Sequence, residues 1–369
     1  MRLSVGAALA IAALLAATIA RDAGPPRLSL SLVGYDWLDG WANDHLSAAV
    51  PAFLRSCVRF LSLEEADPLN AGPISRNFGR LGDWRAICRA ARTVPPDDDA
   101  ASRRFFESGF VPYSVGDFGV CEGLFTGYFE IELNGSWERQ GQYQTPIYRR
   151  PIDPGLATRY SRAEIEDGAL VGRGLELLWL DDPIAAFFLQ IQGSGRVRLG
   201  DGTIIGVGYD GRNGWPYVGV GRLLVDRGII PSAELTMNAI WEWMKRHPEA
   251  GSGLRRENPS YVFFRKVFGD GPVGTEEVVL TPGRSLAVDR AFIPLGIPIW
   301  IEAEERFAFG EKFRHLMIAQ DTGGAIEGPV RGDIFWGTGS VAAWRAGTMN
   351  ARGRYYLLLP RAVTSEPSG

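Results

Sequence analysis

Apolar residues recur at helical spacing in the first third of the chain. Between residues 44 and 61 they lie three or four positions apart, and Asn43 or Asp44 supplies a polar start signal. Two shorter helices are predicted, one beginning at Asp83 and one over residues 99–107. These helices carry no obvious chemistry, so we interpret them as a layer packed around another unit.

From Gly119 onwards the pattern changes to short apolar runs separated by glycine and proline turns. Helices are predicted after Ser161, over 220–228, 232–247 and 340–346. The runs that predict strands are 124–130, 187–192, 196–199, 204–207, 261–264, 278–280, 297–301 and 316–319. Many short strands with such turns favour a mainly β fold of barrel-like domains with peripheral helices.

The N-terminus has the layout of an export signal. Met1 and Arg2 precede an apolar run that ends in small residues near position 20. The run is also near the length of a membrane span, so an uncleaved anchor stays open. We therefore expect an exported, periplasmic protein whose mature chain begins near residue 21.

Composition narrows the chemistry further. The net charge of −4 argues against nucleic acid as a partner. Only three His occur, widely separated, and no GxSxG motif is present, which disfavours a His-rich metal site and a Ser-His-Asp triad. No metal or cofactor is suggested. Cys57, Cys88 and Cys121 allow either one disulfide with a free thiol or three buried thiols.

A glycine-rich stretch, residues 320–339, holds two carboxylates, Asp321 and Asp333. Asp289 follows another strand-like piece and would face both acids if the two strands paired. Carboxylates crowded in one site raise each other's pKa, and one can then serve as a general acid. The alternative is that these acids only cap turns.

Three short segments match known motifs but are weaker evidence of function. Residues 321–323 read Asp-Thr-Gly, as in aspartic proteases, but a single-chain protease needs a second triplet, and none is found. The glycines at 337–339 lie too near the C-terminus for a complete dinucleotide-binding unit. Residues 193–195, Gly-Ser-Gly, favour a hairpin turn over a nucleophile loop.

Six segments together resemble the membrane-bound lytic murein transglycosylase A family, in the family's order from about residue 119 to 359. They are LFTGYF at 124–129, QTPIY at 144–148, QIQGSG at 190–195, NG with Tyr217 at 213–217, NPSYVFF at 258–264 and QDTGGAI at 320–326. Two departures stand out: no lipid-attachment Cys follows the N-terminal run, and Ile131 replaces a common Pro.

The resemblance implies a two-domain peptidoglycan-cleaving enzyme. It predicts a double-psi β-barrel from residues 25–130 and 271–360, a smaller inserted β domain at 131–270, and a signal or anchor at 1–20. It implies Asp333 as the catalytic acid, supported by Asp289 and Asp321. Expected substrate-binding residues are Thr126, Tyr128, Gln192 and Ser194.

The implied reaction uses one acid, because the sugar's own 6-hydroxyl attacks and leaves a 1,6-anhydro end. Two alternatives stay open: a hydrolase using Asp321 and Asp333 with water, and a non-catalytic wall-binding protein. Partners would be peptidoglycan glycan strands, and cell-wall synthesis or division proteins are conceivable. Four aromatic residues could form sugar platforms, although large aromatics are more often buried: Tyr128, Trp215, Tyr217 and Trp336.

Overall fold

The computed structural model describes residues 28–65, 67, 69, 78–268, 271–303 and 312–364. The segment interpreted as an export signal or anchor lies outside these residues. Within the described part of the chain, no helix is long and apolar enough to cross a membrane.

Helices form much of the outer layer. Asp98 accepts a hydrogen bond from Ala101 N at the start of one of them, as a polar N-cap should. The α-helices are α1 Ala49–Ser62, α2 Leu81–Ala91, α3 Asp99–Gly109, α4 Pro154–Arg159, α5 Arg162–Glu166, α6 Pro183–Gln192, α7 Val220–Asp226, α8 Met237–Arg246, α9 Pro248–Arg256, α10 Gly339–Thr348 and α11 Arg361–Thr364.

The strands form one extended mixed sheet, so the expectation of a mainly β fold is confirmed. The strands are β1 Leu28–Leu32, β2 Phe110–Asp117, β3 Gly123–Ser136, β4 Thr145–Tyr148, β5 Glu176–Leu180, β6 Ser194–Leu199, β7 Ile204–Arg212, β8 Val262–Val267, β9 Ser285–Val288, β10 Pro298–Ala303, β11 Phe313–Asp321, β12 Arg331–Thr338 and β13 Asn350–Pro360.

Six of these strands close into a ring of hydrogen-bonded neighbours, in the order β3, β13, β10, β11, β9, β12 and back to β3. The pairs β11–β9 and β12–β3 are parallel, and the other four are antiparallel. Strand β3 is long enough to leave the ring: its second half pairs with β5 and β6. It therefore joins the ring to the remaining strands.

The apolar core divides at the same strand. One cluster draws only on residues 38–125 and 286–359, and its largest members include Trp84 and Trp300. A second cluster draws on residues 129–264 together with Ala342 and Ala346 of α10. Each side of β3 thus buries its own apolar surface, which is the main stabilising contribution to folding.

A disulfide joins α1 to α2 within the first core. Cys57 and Cys88 are bonded, and both are almost fully buried. Cys121 is a free thiol of intermediate exposure. Of the two possibilities left open by the sequence, the structure has one disulfide and one free thiol.

The predicted strand at 187–192 was wrong, because these residues form the second half of helix α6. The helix begins at Pro183, after Asp182 accepts hydrogen bonds from two backbone amides, and ends at Gly193 with φ +79°. Most of the helix is buried, so its apolar residues show no helical periodicity. The sequence signals for this helix were Asp182 and Pro183 at its start and Gly193 after its end.

Three smaller predictions also need correction. Residues 193–195 are not a hairpin turn: Gly193 ends α6, and Ser194 begins β6. The predicted strand at 278–280 is reduced to an isolated bridge between Val273 and Val279. The helix predicted over 232–247 begins later, at Met237, where Thr236 caps it.

Candidate active site

Strand β9 brings the predicted acids into one region. Ala287 pairs with Asp321 of β11 on one side and with Asp333 of β12 on the other. Adjacent strands lie about 4.8 Å apart, so the two acidic positions are separated by roughly 10 Å of backbone. Asp289 lies two residues beyond Ala287, just past the strand's end, where the alternation of side chains returns to the same face.

Both carboxylate oxygens of Asp321 accept hydrogen bonds from protein groups. Its Oδ1 accepts hydrogen bonds from Thr275 N at 2.9 Å, Thr275 Oγ1 at 2.8 Å and Thr322 N at 2.9 Å. Its Oδ2 accepts from the Tyr128 hydroxyl at 3.0 Å. Burial raises the pKa of Asp321 above its ordinary value, and these hydrogen bonds oppose the rise. The carboxyl group therefore holds the surrounding loops together.

Asp289 is engaged in the same way. Its Oδ1 accepts from Ala291 N at 2.9 Å, and its Oδ2 accepts from Gly328 N at 2.7 Å. The second contact attaches the glycine-rich loop between β11 and β12 to the end of β9. Asp289 thus fixes the loop that leads into Asp333.

Asp333 is different, because one of its oxygens is uncommitted. The Thr126 hydroxyl donates to Oδ1 at 2.6 Å, and no group in the described part of the chain donates to Oδ2. Burial raises the pKa of Asp333, and the charge of Asp321 acts in the same direction. The Arg331 guanidinium and the Thr126 hydrogen bond oppose that rise. A half-buried carboxyl with a free oxygen and a raised pKa can donate a proton.

The other predicted substrate-binding residues lie on β3, at the end of α6 and at the start of β6. The Tyr128 ring is only 7% exposed, and it packs against Phe335 with centroids 5.3 Å apart. Its hydroxyl supports Asp321, so its face is not presented as a sugar platform. Gln192 Oε1 accepts from Phe129 N at 3.0 Å, and Ser194 is the first residue of β6. No hydrogen bond joins Gln192 or Ser194 to the three acids among the described residues.

Of the four aromatic residues considered as sugar platforms, two have more than a third of their surface exposed to solvent. Trp215 is 39% exposed and Tyr217 is 38% exposed. Trp336 is partly buried and packs against both apolar clusters. Of the four candidates, Trp215 and Tyr217 therefore have the rings most accessible to a ligand.

Several polar residues in the segments that resemble the family stabilise the fold by hydrogen bonding. Gln190 is buried and its Oε1 accepts from Arg162 Nη2 at 3.0 Å. Asn213 is fully buried, and its Oδ1 accepts from Tyr261 N at 2.8 Å. Asn258 accepts from two backbone amides. Their amide groups satisfy buried backbone polar groups, which would otherwise destabilise the fold.

The sequence patterns did not identify a network of buried polar side chains that begins at Gln320, the residue before Asp321. The Ser56 hydroxyl donates to Glu276 Oε2 at 2.6 Å, and Gln320 Nε2 donates to Ser56 Oγ at 2.9 Å. Ser285 Oγ donates to Gln320 Oε1 at 2.6 Å. Burial raises the pKa of Glu276 to about 7, and its neighbour Thr275 is the residue that holds Asp321. No short-range pattern marks these residues, since they meet only through the fold.

The sequence also did not single out Arg331. Its Nη2 donates to Thr126 Oγ1 at 2.8 Å, and it lies two residues before Asp333 on the same strand. The alternation of side chains along a strand was the available signal, because positions two apart share a face.

The fold and site together define a mainly β protein in which a carboxyl group with one free oxygen, that of Asp333, lies on a strand of the closed ring. In the described part of the chain, no group of three or more His, Cys, Asp or Glu side chains is arranged to hold a metal ion.

Comparisons with known proteins give the family. Residues 124–265 match the family model described as the MltA specific insert domain, and residues 284–359 match the 3D domain. The chain belongs to the membrane-bound lytic murein transglycosylase A family.

Curated relatives agree with this assignment. The membrane-bound lytic murein transglycosylase A of Escherichia coli K12 is 37% identical over 240 residues, which cover 63% of this chain and 65% of that protein. The Vibrio cholerae protein of the same name is 34% identical over 253 residues, which cover 66% of this chain and 67% of that protein. The match to the E. coli relative thus spans slightly less than two thirds of its length.

Solved structures are similar over nearly the whole chain. The membrane-bound lytic murein transglycosylase from Agrobacterium tumefaciens has a TM-score of 0.80 and 32% identity, covering 91% of this chain and 99% of that one. E. coli MltA with bound chitohexaose has a TM-score of 0.69 and 29% identity, covering 92% of this chain and 96% of that one.

Proposed function

We propose that the protein is a lytic transglycosylase that cleaves the β-1,4 bond between N-acetylmuramic acid and N-acetylglucosamine in peptidoglycan. The observation that carries the proposal is the uncommitted Oδ2 of Asp333 beside two acids whose oxygens are occupied by protein donors. A site with one available carboxyl group suits a reaction that needs one acid. The names of the relatives, and the chitohexaose bound to the E. coli protein, support a glycan substrate.

The reaction begins with Asp333 protonated, a state favoured by burial. Asp333 donates its proton to the glycosidic oxygen as the bond from that oxygen to C1 of the muramic acid breaks. The resulting carboxylate then takes the proton of the 6-hydroxyl of the same sugar, whose oxygen bonds to C1 and closes the 1,6-anhydro ring. An intramolecular nucleophile is already in place, so no second carboxylate is required.

The remaining site residues take supporting parts. Asp289 and Asp321 hold the loops around Asp333, and the charge of Asp321 favours the protonated form of Asp333. Thr126 lies at the acid itself, and we assign it contact with the reacting sugar. Gln192 and Ser194, at the junction of α6 and β6, would contact the glycan further along. Tyr128 would act through Asp321, because its ring is buried.

The architecture proposed for this function has two domains. Residues 25–130 and 271–360 would form a double-psi β-barrel, and residues 131–270 an inserted domain. The separation of the apolar clusters at β3 supports this division. Residues 1–20 would direct export, so that the protein acts in the periplasm at a membrane, in keeping with the membrane-bound relatives.

The test is digestion of purified sacculi by the chain lacking residues 1–20, beside Asp333→Asn, with products identified by mass spectrometry. Anhydromuropeptides from the wild type, and a loss of at least a hundredfold in the variant, are expected, since general acid–base catalysis contributes about 10²–10⁴-fold. Reducing ends in place of anhydro ends would establish a hydrolase instead. Binding to sacculi without products, unchanged in Asp333→Asn, would establish a wall-binding protein.

A further inference from the structure

Arg331 is anchored beside the candidate acid by several hydrogen bonds. In β12, Arg331 lies opposite Leu124 of β3, and Asp333 lies opposite Thr126. One guanidinium nitrogen, Nη1, donates to the backbone oxygens of Leu124 and Gly332. The other, Nη2, donates to Thr126 Oγ1 at 2.8 Å. The planar guanidinium is therefore held in one orientation.

This arrangement decides where the Thr126 proton points. A guanidinium can only donate, so the Thr126 oxygen must accept the hydrogen bond from Arg331. The single hydroxyl proton of Thr126 is then left to be donated, and the acceptor in place is Asp333 Oδ1 at 2.6 Å. Asp333 Oδ1 accepts in this contact, so the acid's own proton belongs on Oδ2.

We propose that Arg331 is a positioning residue that, through the Thr126 hydroxyl, directs the proton of Asp333 to Oδ2, the oxygen that accepts no hydrogen bond from the described residues. This inference rests on the proposed function, since it assigns a part in the same proton transfer. It makes Thr126 a link between Arg331 and the acid as well as a contact for the sugar.

The same chain of contacts also sets the acidity of Asp333. Burial raises the pKa of Asp333, whereas the Arg331 charge and the Thr126 hydrogen bond favour its carboxylate. Asp321 on β11 also acts on Asp333 and raises its pKa, and Asp333 in turn raises the pKa of Tyr128 on β3. Removing Arg331 therefore raises the pKa of Asp333 further and makes it a weaker acid.

The experiment compares pH profiles of kcat/KM for wild type, Arg331→Gln and Arg331→Lys, acting on soluble peptidoglycan glycan strands. In Arg331→Gln the alkaline limb should move up by about one pH unit, because an opposite charge within 4–6 Å shifts a pKa by about 1–3 units. We expect kcat to fall roughly tenfold, part of the 10²–10⁴-fold effect of general acid catalysis, with little change in KM. Arg331→Lys keeps the charge, so its alkaline limb should stay close to that of the wild type.

Matched controls separate this role from a merely structural one. Thr126→Val removes the hydroxyl and should move the alkaline limb in the same direction as Arg331→Gln. Arg89→Gln removes one exposed positive charge from α2, where the side chain is paired with Glu65, and should leave the profile unchanged. Thermal unfolding of each variant identifies any that fails to fold.

An alkaline limb at the same pH in wild type and in folded Arg331→Gln would overturn the inference. So would equal shifts in Arg331→Gln and Arg331→Lys, or a rise in KM alone. These outcomes differ from failure of the proposed function, in which the wild type itself would release no anhydro products.

Discussion

Asp333, Asp321 and Glu276 show how three carboxyl groups in one region take different parts. Asp321 accepts four protein hydrogen bonds, and Asp333 accepts one. Glu276 is deeply buried, accepts from Ser56, and has its other oxygen without a hydrogen-bond partner among the described residues. The number of hydrogen-bond donors around each carboxyl group therefore distinguishes the group that stabilises the loops from the groups that favour the protonated form.

Glu276 makes the stability of the protein depend on pH. Burial raises its pKa from 4.5 to about 7, so the folded state binds a proton that the unfolded state releases between these values. Stability should therefore fall as pH rises from about 4.5 to 7, by roughly 3–4 kcal/mol at most, at about 1.36 kcal/mol per pKa unit. Glu276→Gln keeps an acceptor for Ser56 and should remove most of this fall, which thermal unfolding at pH 5 and pH 8 would measure.

Ser62→Ala is a suitable control, because its hydroxyl lies at the exposed end of α1 and bonds only a neighbouring carbonyl there. It should keep the wild-type pH dependence. An unchanged fall in stability in Glu276→Gln would mean that other groups carry the effect.

At the scale of elements, α1 stabilises the segments that carry and contact Asp321. Arg55 of this helix donates to Val279 O and Thr281 Oγ1, and Ser56 contacts Glu276. The Ala52 carbonyl accepts from Gln320, the residue before Asp321. The helix therefore contacts both the loop that carries Thr275 and the strand that ends at Asp321, while the disulfide ties it to α2.

The disulfide should contribute substantially to stability. Cys57 and Cys88 are 31 residues apart, and closing a loop of that length stabilises the folded state by about 3–4 kcal/mol in the chain-entropy account. Unfolding by denaturant should show a loss of about this size in the double variant Cys57→Ala, Cys88→Ala. A reducing agent should lower the wild-type stability to a similar level.

Cys121→Ala is the matched control, because that thiol is free and half-exposed. It should change stability little and should not alter the response to reducing agent. Equal stability of oxidised and reduced wild type would contradict the contribution assigned to the disulfide.

The sequence predicted elements well where amphipathic spacing or turn residues marked them, as in α1 and the strand carrying residues 316–319. It was wrong for α6, whose mostly buried residues give no periodic pattern. The three acids were identifiable from the glycine-rich stretch and the family resemblance. Thr275 and Glu276 were not, since their contacts with Asp321 and Ser56 join segments far apart in sequence. Such pairings depend on the closed ring of strands, which local pattern does not encode.

At the scale of the whole molecule, β3 connects two separately packed regions. Thr126, in its first half, touches Asp333 within the ring, whereas the second half pairs with the strand that begins at Ser194. A glycan that contacts both Thr126 and Ser194 must therefore cross from one region to the other. The long strand keeps these positions in a fixed relation, which pre-organises the site.

The most direct test of the central claim is a sacculus digest in water enriched in oxygen-18. In the proposed reaction the attacking oxygen is the sugar's own, so every new muramoyl end should be an anhydro end without the heavy isotope, and the mass spectrum should show no labelled reducing ends. Heavy oxygen at the new ends would mean that water attacks, and would contradict the assignment of Asp333 as the single acid and base of a lytic transglycosylase.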